Sequence, residues 1–435
     1  MQALNEVKAA RLCGNRKGAH QHISGLGCAK VCVDEALDAG CDDACGLIGQ
    51  HKARKAARVV LDLLKSNKSF NRAVLIAGAV GSGKTALAYA IAKELGADVP
   101  FVPISASEVY SPDVKPAEVL TQAMRRAVSV TVREEREVIE GEISEIVTSV
   151  AADGAKSGTV VLRTKDMESL YCLGPKLLAL MERKNIIAGD VIRLDRQNGT
   201  VTRLGRSVAR CAEYDAFAGD EQFVEVPSGE LQRSVETEHR VTLHDIDIVN
   251  SRPEGFIALF DGNTGEVSHE VRQKVDAKVE EWVLETKASL ELGVLFIDEC
   301  HLLDVSCFAF LNRVLDTPYA PLLILASNKG VCPLRGTSLR FLHGIPPDFL
   351  DRLLAISTQP LGREELRGVL QQRAQLEEAR CESAALELLV SIAADSSLRY
   401  ALNLLTYAAT AARRAKAERL DVEHVELCYR IFLDS

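Results

Sequence analysis

The stretch Arg72-Ala-Val-Leu-Ile-Ala-Gly78-Ala-Val-Gly-Ser-Gly-Lys84-Thr85 decides the fold. It opens with a short apolar run, which predicts a strand buried on both faces of a parallel sheet. The segment from Gly78 to Thr85 then matches the pattern GxxxxGK(S/T) in full, and a helical pattern continues from Lys84 to Leu95. Because a chance glycine-rich turn would lack this strand and this helix, we interpret the segment as a phosphate-binding loop.

The residue types of this loop explain its chemistry. Glycines let the backbone curl so that its N–H groups face phosphate oxygens, and the N-terminus of the next helix adds a favourable dipole. We expect Lys84 to reach the β- and γ-phosphates and the Thr85 hydroxyl to bind Mg²⁺. ATP or ADP with Mg²⁺ is therefore the predicted cofactor. The predicted phosphate-binding residues are Gly78, Ala79, Val80, Gly81, Ser82, Gly83, Lys84 and Thr85.

An acidic pair completes this chemistry. The apolar run Gly293-Val-Leu-Phe-Ile-Asp298 predicts another strand, and it ends on Asp298-Glu299. In a P-loop protein the first acid supports the magnesium shell, and the second orients or deprotonates the attacking water. Asp298 is thus a predicted metal ligand, partly through water, and Glu299 is the predicted base. Asn328 ends the next strand and is a candidate sensor of the γ-phosphate, with a simple turn residue as the alternative.

The order of strands and helices predicts the fold class. Apolar runs at 101–104, 322–326 and 353–357 alternate with helical patterns, which indicates a doubly wound α/β sheet. The sequence between Lys84 and Asp298 is much longer than the helices and strand of such a core need, at about 11 and about 5 residues each. A domain is therefore predicted to be inserted there. The last part of the chain is helical in pattern.

The predicted insert differs from the core in its pattern of predicted strands. Turn signals such as Asn198-Gly199 separate its short strands, which indicates a small β-barrel. Its segment Arg193–Arg210 is rich in arginine, with Asp195 as the single acid. Such a segment can follow a nucleic-acid backbone, but a solvated strand face explains it equally well. The strand patterns cover residues 137–150, 158–163, 189–194, 200–204 and 223–226.

Composition narrows the class of protein. The formal net charge of −9 argues against a protein dedicated to nucleic acid. No apolar run approaches the ~20 residues that span a bilayer, and the first residues lack the apolar core of a secretory signal. We therefore expect an intracellular protein with reduced, structural thiols. The spacings Cys28–Cys32 and Cys41–Cys45 do not make a zinc site, because no compact histidine pair completes the ligand set.

Further motifs accompany the phosphate loop. They are Asp298-Glu-Cys-His301, Gly18-Ala-His20-Gln-His22-Ile-Ser-Gly-Leu-Gly27, Gly46-Leu-Ile-Gly-Gln50, Gly344-Ile-Pro346, Leu350-Asp-Arg352 and Leu398-Arg-Tyr400. Together they resemble the RuvB-like family of AAA+ ATPases over nearly the whole chain. The resemblance implies an AAA+ core in residues 1–128 and 292–360, an inserted OB-like domain in 129–291 and a helical lid in 361–435.

The resemblance also implies roles outside the phosphate loop. In this family the histidine segment gates the nucleotide pocket, a short loop packs on adenine, and a lid arginine contacts the phosphates. Arg352 would enter a neighbouring subunit's site as an arginine finger, a contact that can contribute ~10³–10⁵ in rate. For each arginine, a surface ion pair is the alternative interpretation. The further nucleotide-binding residues implied are His20, His22, Ile48, Gly49, Gln50, Asn328 and Arg399.

The segments Met167–Tyr171, Leu204–Ser207, Asn250–Phe260 and Gly262–Glu266 are closer to the second of the family's two paralogue groups than to RuvB-like 1. The implied partners are RuvB-like 1 in a hetero-hexamer or dodecamer, or further copies in a homo-hexamer. Chromatin-remodelling and histone-acetyltransferase complexes, transcription regulation, DNA repair and ribonucleoprotein assembly are the implied settings. The resemblance implies a location in the nucleus and also the cytoplasm, weak non-specific nucleic-acid binding and no membrane. A DNA helicase and a nucleotide-gated scaffold or assembly chaperone stay open as activities.

The chain departs from the family pattern at three places. Its phosphate loop lacks the usual proline before Gly81, which removes a rigid φ angle, and carries Ser82 in place of threonine. Cys300 replaces a valine, which is a small change in a buried position. Leu361 stands where an aromatic residue is expected near the adenine. Nucleotide affinity is the property that these changes affect most directly.

Overall fold

The computed structural model divides the chain into two compact units. The first comprises residues 1–130, 241–279 and 290–435, and the second comprises 131–240 and 280–289. Within these units the structure describes residues 20, 22–28, 45–65, 73–96, 98–112, 114–150, 156–195, 199–208, 223–251, 266–377, 379–415, 417 and 419–432. No helix within these described ranges is long and apolar enough to cross a membrane.

Strands and helices alternate in the first unit, whereas strands dominate the second. The described strands are β1 (Ala73–Gly78), β2 (Phe101–Ser105), β3 (Val128–Val150), β4 (Lys156–Arg163), β5 (Glu168–Leu173), β6 (Asp190–Asp195), β7 (Thr200–Ser207), β8 (Phe223–Val224), β9 (Gln232–Thr242), β10 (Ala288–Leu292), β11 (Val294–Asp298), β12 (Leu322–Ser327), β13 (Val331–Pro333), β14 (Arg340–Leu342) and β15 (Leu354–Thr358). The described helices are α1 (His51–Lys65), α2 (Lys84–Leu95), α3 (Pro116–Arg126), α4 (Pro175–Arg183), α5 (Leu243–Ser251), α6 (His269–Leu284), α7 (Val305–Leu315), α8 (Pro347–Leu350), α9 (Arg363–Leu376), α10 (Ser383–Asp395), α11 (Leu398–Arg414) and α12 (Val422–Phe432).

A five-stranded parallel sheet forms the centre of the first unit. Its strand order is β15-β1-β12-β11-β2, and every neighbouring pair runs parallel. The predicted doubly wound α/β fold is confirmed, and the five strands begin and end close to the bounds that their apolar runs indicated. Because the strands are parallel, the loops that follow β1, β11 and β12 emerge at one edge of the sheet.

The side chains of β1 show why its apolar run is continuous. Ala73 and Leu75 pack into one hydrophobic core, and Val74 and Ile76 pack into a second core on the opposite face. All four residues are fully buried. Burying a Val, Leu or Ile side chain contributes about 1.5–3 kcal/mol, so both faces of the sheet stabilise the strand from which the phosphate loop departs.

The C-terminal helices predicted from apolar spacing are confirmed, and they form the lid that the family resemblance implied. Helices α9, α10, α11 and α12 surround a core that includes Leu370, Leu389 and Leu405. Leu361 is partly buried against this core. The residue that stands in place of the expected aromatic therefore packs with the lid helices.

Buried ion pairs join α3 to α5 and α6. Asp247 of α5, whose side chain is fully buried, accepts hydrogen bonds from Arg125 of α3, which also pairs with Asp276 of α6 at 2.9 Å. Arg272 of α6 donates to Glu118 of α3 at 2.9 Å. Burial raises the pKa of the Asp247 carboxyl, and the hydrogen bonds and charge of Arg125 oppose this rise.

The second unit is a mainly antiparallel sheet arranged around β3. Its strand order is β5-β4-β3-β6-β7-β8, and β9 and β10 also pair with β3. The insert is narrower than the predicted range of 129–291, because residues 241–279 belong to the first unit. Sequence patterns missed this boundary because the partners of α5 and α6 lie on α3, far away in the chain.

The cysteines give one correction. The free thiols among the described residues are Cys45, Cys172, Cys300, Cys307, Cys332, Cys381 and Cys428. Cys28 is disulfide-bonded, so the expectation of reduced thiols is wrong at this position, whereas Cys32 and Cys41 lie outside the described residues. Burial raises the pKa of the Cys300 thiol to about 12, which keeps it protonated. No group of His, Cys, Asp or Glu in the described part of the chain could hold a metal by itself.

Candidate nucleotide site

The phosphate loop leaves β1 and enters α2 as its sequence predicts. Gly81 and Gly83 adopt φ angles of +80° and +82°, a region that strongly favours glycine. A Cβ built on either glycine would meet no atom within 4 Å, so these positions face open space. Lys84, the first residue of α2, donates from Nζ to the carbonyls of Gly78 at 3.0 Å and Ala79 at 2.8 Å. The ammonium group therefore lies over the loop.

The acidic pair lies beside this loop. Thr85 Oγ1 donates to Asp298 Oδ2 at 3.4 Å, and the Glu299 N–H donates to Asp298 Oδ1 at 2.9 Å. Glu299 is exposed and has a left-handed φ of +56°, a strained conformation that is often found at functional sites. Burial lowers the pKa of Lys84, and the charges of Asp298 and Glu299 oppose this shift. The structure thus brings these four predicted residues together.

Asn328 lies at the same edge of the sheet. It directly follows β12, which stands between β1 and β11, so it lies between the phosphate loop and Asp298. Its Oδ1 atom is buried without a hydrogen-bond partner among the described residues. Leaving a buried amide oxygen unpaired costs about 1–3 kcal/mol. This placement favours a sensor over a simple turn residue.

The two histidines lie near basic residues of the lid. The His20 ring is 5.4 Å from the Tyr89 ring of α2. Burial lowers the pKa of both His20 and His22, and the charge of Arg373 on α9 lowers both further. Arg399, near the start of α11, acts on His20 in the same direction. Arg399 is therefore close to the histidine segment. Gly18, Ala19 and Gln21 of that segment lie outside the described residues.

The predicted adenine loop packs against α9. Ile48 lies next to Gly368, where an added Cβ would be 3.1 Å from Ile48 Cδ1. Gly49 faces Glu365, whose carboxyl carbon would be 2.6 Å from a Cβ at that glycine. The loop is thus held by the lid, and its contact with adenine stays a prediction.

Gln50, the last residue of this loop, is held by the residue that follows strand β15. Its Oε1 accepts the Gln359 N–H at 3.1 Å, and its Nε2 donates to the Gln359 carbonyl. The side-chain amide is therefore used for positioning the loop. Contact of Gln50 with a nucleotide stays a prediction.

Arg352, the predicted finger, contacts α7 of its own chain and the residue that follows it. Its Nη1 donates to Asp316 Oδ1 at 2.8 Å and to the Asn312 carbonyl at 3.4 Å. The side chain keeps 37% of its surface exposed. Its action on a neighbouring subunit stays a prediction.

Sequence reasoning missed a buried arginine that organises the site. Arg54 of α1 is fully buried and donates to the carbonyls of Leu26 at 2.7 Å, Leu47 at 3.0 Å and Gly49 at 3.4 Å. It thereby ties the histidine segment to the adenine loop. A signal was present in the sequence, since Arg54 falls on the same helical face as the buried Leu61 of α1.

The arrangement fits a magnesium nucleotide. The left-handed glycines and the N-terminus of α2 would hold phosphate oxygens, with Lys84 as the cation. Thr85 and Asp298 offer the hard oxygen ligands that Mg²⁺ prefers. When bound, the metal would neutralise charge on the transferred phosphoryl group. Glu299 would accept a proton from the attacking water.

The fold and the site define a P-loop ATPase with an AAA+ core and a helical lid. The TIP49 P-loop domain matches residues 16–364, and the TIP49 AAA-lid domain matches residues 369–434. The chain therefore belongs to the TIP49, or RuvB-like, family of nucleotide-hydrolysing AAA+ proteins.

Proposed function

We propose that the chain is an ATP-hydrolysing ring subunit of the RuvB-like 2 (reptin) group. The observation that carries the ATPase activity is the meeting of Lys84, Thr85, Asp298 and Glu299 at one edge of the sheet. The paralogue assignment rests on sequence motifs. Of these, residues 252–260 and 262–265 lie outside the described part of the chain.

Assembly into a ring would complete the site. The ion pair between Arg352 and Asp316 is exposed, with 37% and 68% of the side chains accessible, and such pairs stabilise a protein by about 0–1 kcal/mol. A γ-phosphate on a neighbouring subunit could therefore draw Arg352 away from Asp316 at little cost. The partners would be further copies of this chain or RuvB-like 1, in hexamers or dodecamers.

The assembly is tested by measuring native mass and ATP turnover for the chain alone and with RuvB-like 1. We expect a hexamer or a multiple of it, and higher turnover in the ring than in dilute monomers, because the finger acts between subunits. A monomer whose turnover does not depend on concentration or on the paralogue would contradict the ring. Glu299→Gln, which keeps the loop intact, serves as the control for contaminating ATPases.

The cellular role that we propose is a nucleotide-gated scaffold in chromatin remodelling, transcription regulation and assembly of large complexes, in the nucleus and the cytoplasm. One described arginine of the insert supports it over a helicase. Arg203 pairs at 2.8 Å with Asp190, whose side chain is fully buried. Because breaking this pair would leave a buried carboxylate without its partner, Arg203 is poorly suited to follow a nucleic-acid backbone.

A strand-displacement assay distinguishes a DNA helicase from a nucleotide-gated scaffold. We expect ATP-dependent unwinding of a short duplex to be absent or very slow, with and without RuvB-like 1, while ATP turnover continues. Unwinding that is coupled to turnover and lost in Glu299→Gln would establish the helicase instead.

A further inference from the structure

The carboxyl end of β15 contacts the phosphate loop through two hydroxyl groups. Ser82 Oγ and Thr358 Oγ1 are 2.7 Å apart. Ser82 Oγ also lies 2.8 Å from the Ala79 carbonyl oxygen, and Thr358 Oγ1 lies 3.3 Å from the Ala77 carbonyl oxygen. Because each hydroxyl has one proton, one of the two donates across the 2.7 Å contact and the other donates to its carbonyl. The two residues are only 1% and 7% exposed. Thr358 thus binds the loop in its middle and the strand at the point where the loop begins.

Gly78 shows how closely the two segments approach. A Cβ at this position would lie 2.7 Å from the Thr358 carbonyl oxygen and closer still to its hydroxyl, a separation that real Cβ atoms do not tolerate. Gly78 is not among the glycines with a left-handed φ. The first glycine of the loop is therefore required by the backbone of β15, whereas Gly81 and Gly83 are required by their own conformation.

The next residue of the same segment holds the adenine loop. Gln359 exchanges two hydrogen bonds with the side-chain amide of Gln50. Gln50 itself has a φ of +58°, a left-handed conformation that is unfavourable for a non-glycine residue. The paired amide bonds hold this strained residue in place. Two adjacent residues at the end of one strand therefore fix both loops of the candidate nucleotide site.

We propose that Thr358 and Gln359 form a positioning segment that sets nucleotide affinity by holding the phosphate loop and the adenine loop at a fixed distance. Thr358 acts through Ser82 and Gly78, and Gln359 acts through Gln50. Since Val80 stands where the family usually has a proline, the loop lacks a rigid φ angle, and the contact with Thr358 supplies rigidity in its place. The inference rests on the proposed ATPase function.

The test compares variants of Thr358 in the full chain. Thr358→Val keeps the shape and removes the hydroxyl, and we expect the Kd for a fluorescent ADP analogue to rise about 2- to 12-fold, because a neutral hydrogen bond contributes about 0.5–1.5 kcal/mol. The kcat at saturating ATP should stay unchanged, since the loss concerns binding. Thr358→Ser retains the hydroxyl and should retain the affinity, which a purely structural role of the methyl group would not allow.

A double-mutant cycle ties the effect to Ser82. Ser82→Ala should weaken ADP binding as Thr358→Val does, and the double variant should lose less binding free energy than the sum of the two single losses, because both remove the contact between Ser82 and Thr358. Thr131→Val is the matched control, since Thr131 is a 5% exposed threonine of β3 in the second unit.

Additive losses in the cycle, or wild-type affinity in Thr358→Val, would overturn the proposal. If the unaltered chain binds no ADP at all, the proposed function fails instead. Should Thr358→Val not fold, the comparison of Thr358→Ser with Ser82→Ala still decides between the outcomes.

Discussion

The P-loop unit and the inserted sheet use their polar residues in different ways. At the edge of the parallel sheet, Asn328 Oδ1 is buried without a described partner, and Glu299 holds a strained backbone conformation. The insert also has strained residues, but Asn185 and Thr286 each lie two residues after the end of a helix, where a left-handed residue is common. Arg193 and Arg203 of the insert are paired with acids of the same sheet. The meeting of Asn328 and Glu299 beside the phosphate loop supports placing the nucleotide chemistry in the P-loop unit, and the insert is a compact unit of its own.

The largest loss of ATP turnover should follow removal of the arginine finger. Such a loss would show that the P-loop unit needs a neighbouring subunit for hydrolysis. We expect Arg352→Ala to lower ATP turnover by about 10³-fold, at the low end for an arginine finger, while the Kd for ADP stays close to the wild-type value. Steady-state turnover and equilibrium titration measure the two quantities. Arg313→Ala is the control, because Arg313 is an exposed arginine of α7.

Mixing variants distinguishes a finger from a local ion pair. Subunits with Arg352→Ala keep an intact pocket, and subunits with Lys84→Ala keep an intact finger. If Arg352 acts on the neighbouring site, a mixture should exceed the summed turnover of the two variants, since some interfaces combine both intact parts. A mixture that only equals the sum would assign Arg352 to its own chain, where it binds Asp316.

The second-largest loss of ATP hydrolysis should follow removal of the predicted general base, Glu299. We expect Glu299→Gln to bind ATP and to hydrolyse it about 10²-fold more slowly, because the water loses a general base that typically contributes 10²–10⁴, whereas Asp298 stays with Thr85. Single-turnover hydrolysis measures the chemical step. Glu108→Gln alters an exposed acid of the same unit and should have no effect. Undiminished hydrolysis in Glu299→Gln would remove this residue from the mechanism.

Features formed by residues close together in the chain could be predicted from the sequence, whereas contacts between residues far apart in the chain could not. The strand β1, the phosphate loop and the start of α2 are adjacent, so their residue types alone defined them. Asp298 was found because it ends an apolar strand. Thr358 was missed because its importance comes from Ser82, 276 positions away. The boundary of the insert was misplaced for the same reason, since Asp247 is bound by Arg125, 122 positions earlier.

A third prediction tests whether residues 241–279 belong to the P-loop unit. Asp247→Ala would leave Arg125 buried with a partner removed, and breaking a buried ion pair destabilises a protein by about 3–5 kcal/mol. Asp276 still pairs with Arg125, so we expect the lower value. Urea unfolding measures the loss, and hydrogen exchange should locate it in the parallel sheet rather than in the strands around β3. Glu270→Ala, at an exposed position in the first turn of α6, is the matched control.

The smallest effect on nucleotide binding should follow removal of the insert. Thr237 Oγ1 donates to the Glu134 carbonyl at 3.3 Å, so the two positions are close enough to be joined by a short Gly/Ser turn in place of residues 135–236. This design keeps α5 and α6, which replacement of the whole predicted range 129–291 would have removed together with the partners of Arg125. We expect the Kd for ADP to change by no more than about twofold, since distant sites couple by less than ~0.5 kcal/mol.

The same deletion should weaken the binding of nucleic acid and of client proteins. If the insert neutralises a few phosphates of bound nucleic acid, affinity for single-stranded DNA should fall, and the slope of log K against log salt should decrease by about 0.7 for each phosphate that is no longer neutralised. The slope is the informative quantity, because it reports the number of neutralised phosphates, whereas affinity alone also falls if the ring dissociates. An unchanged slope would assign nucleic-acid binding to the P-loop unit. Loss of ADP binding on deletion would show that the two units are not independent, and the contrast between a chemical core and a self-contained insert would then be wrong.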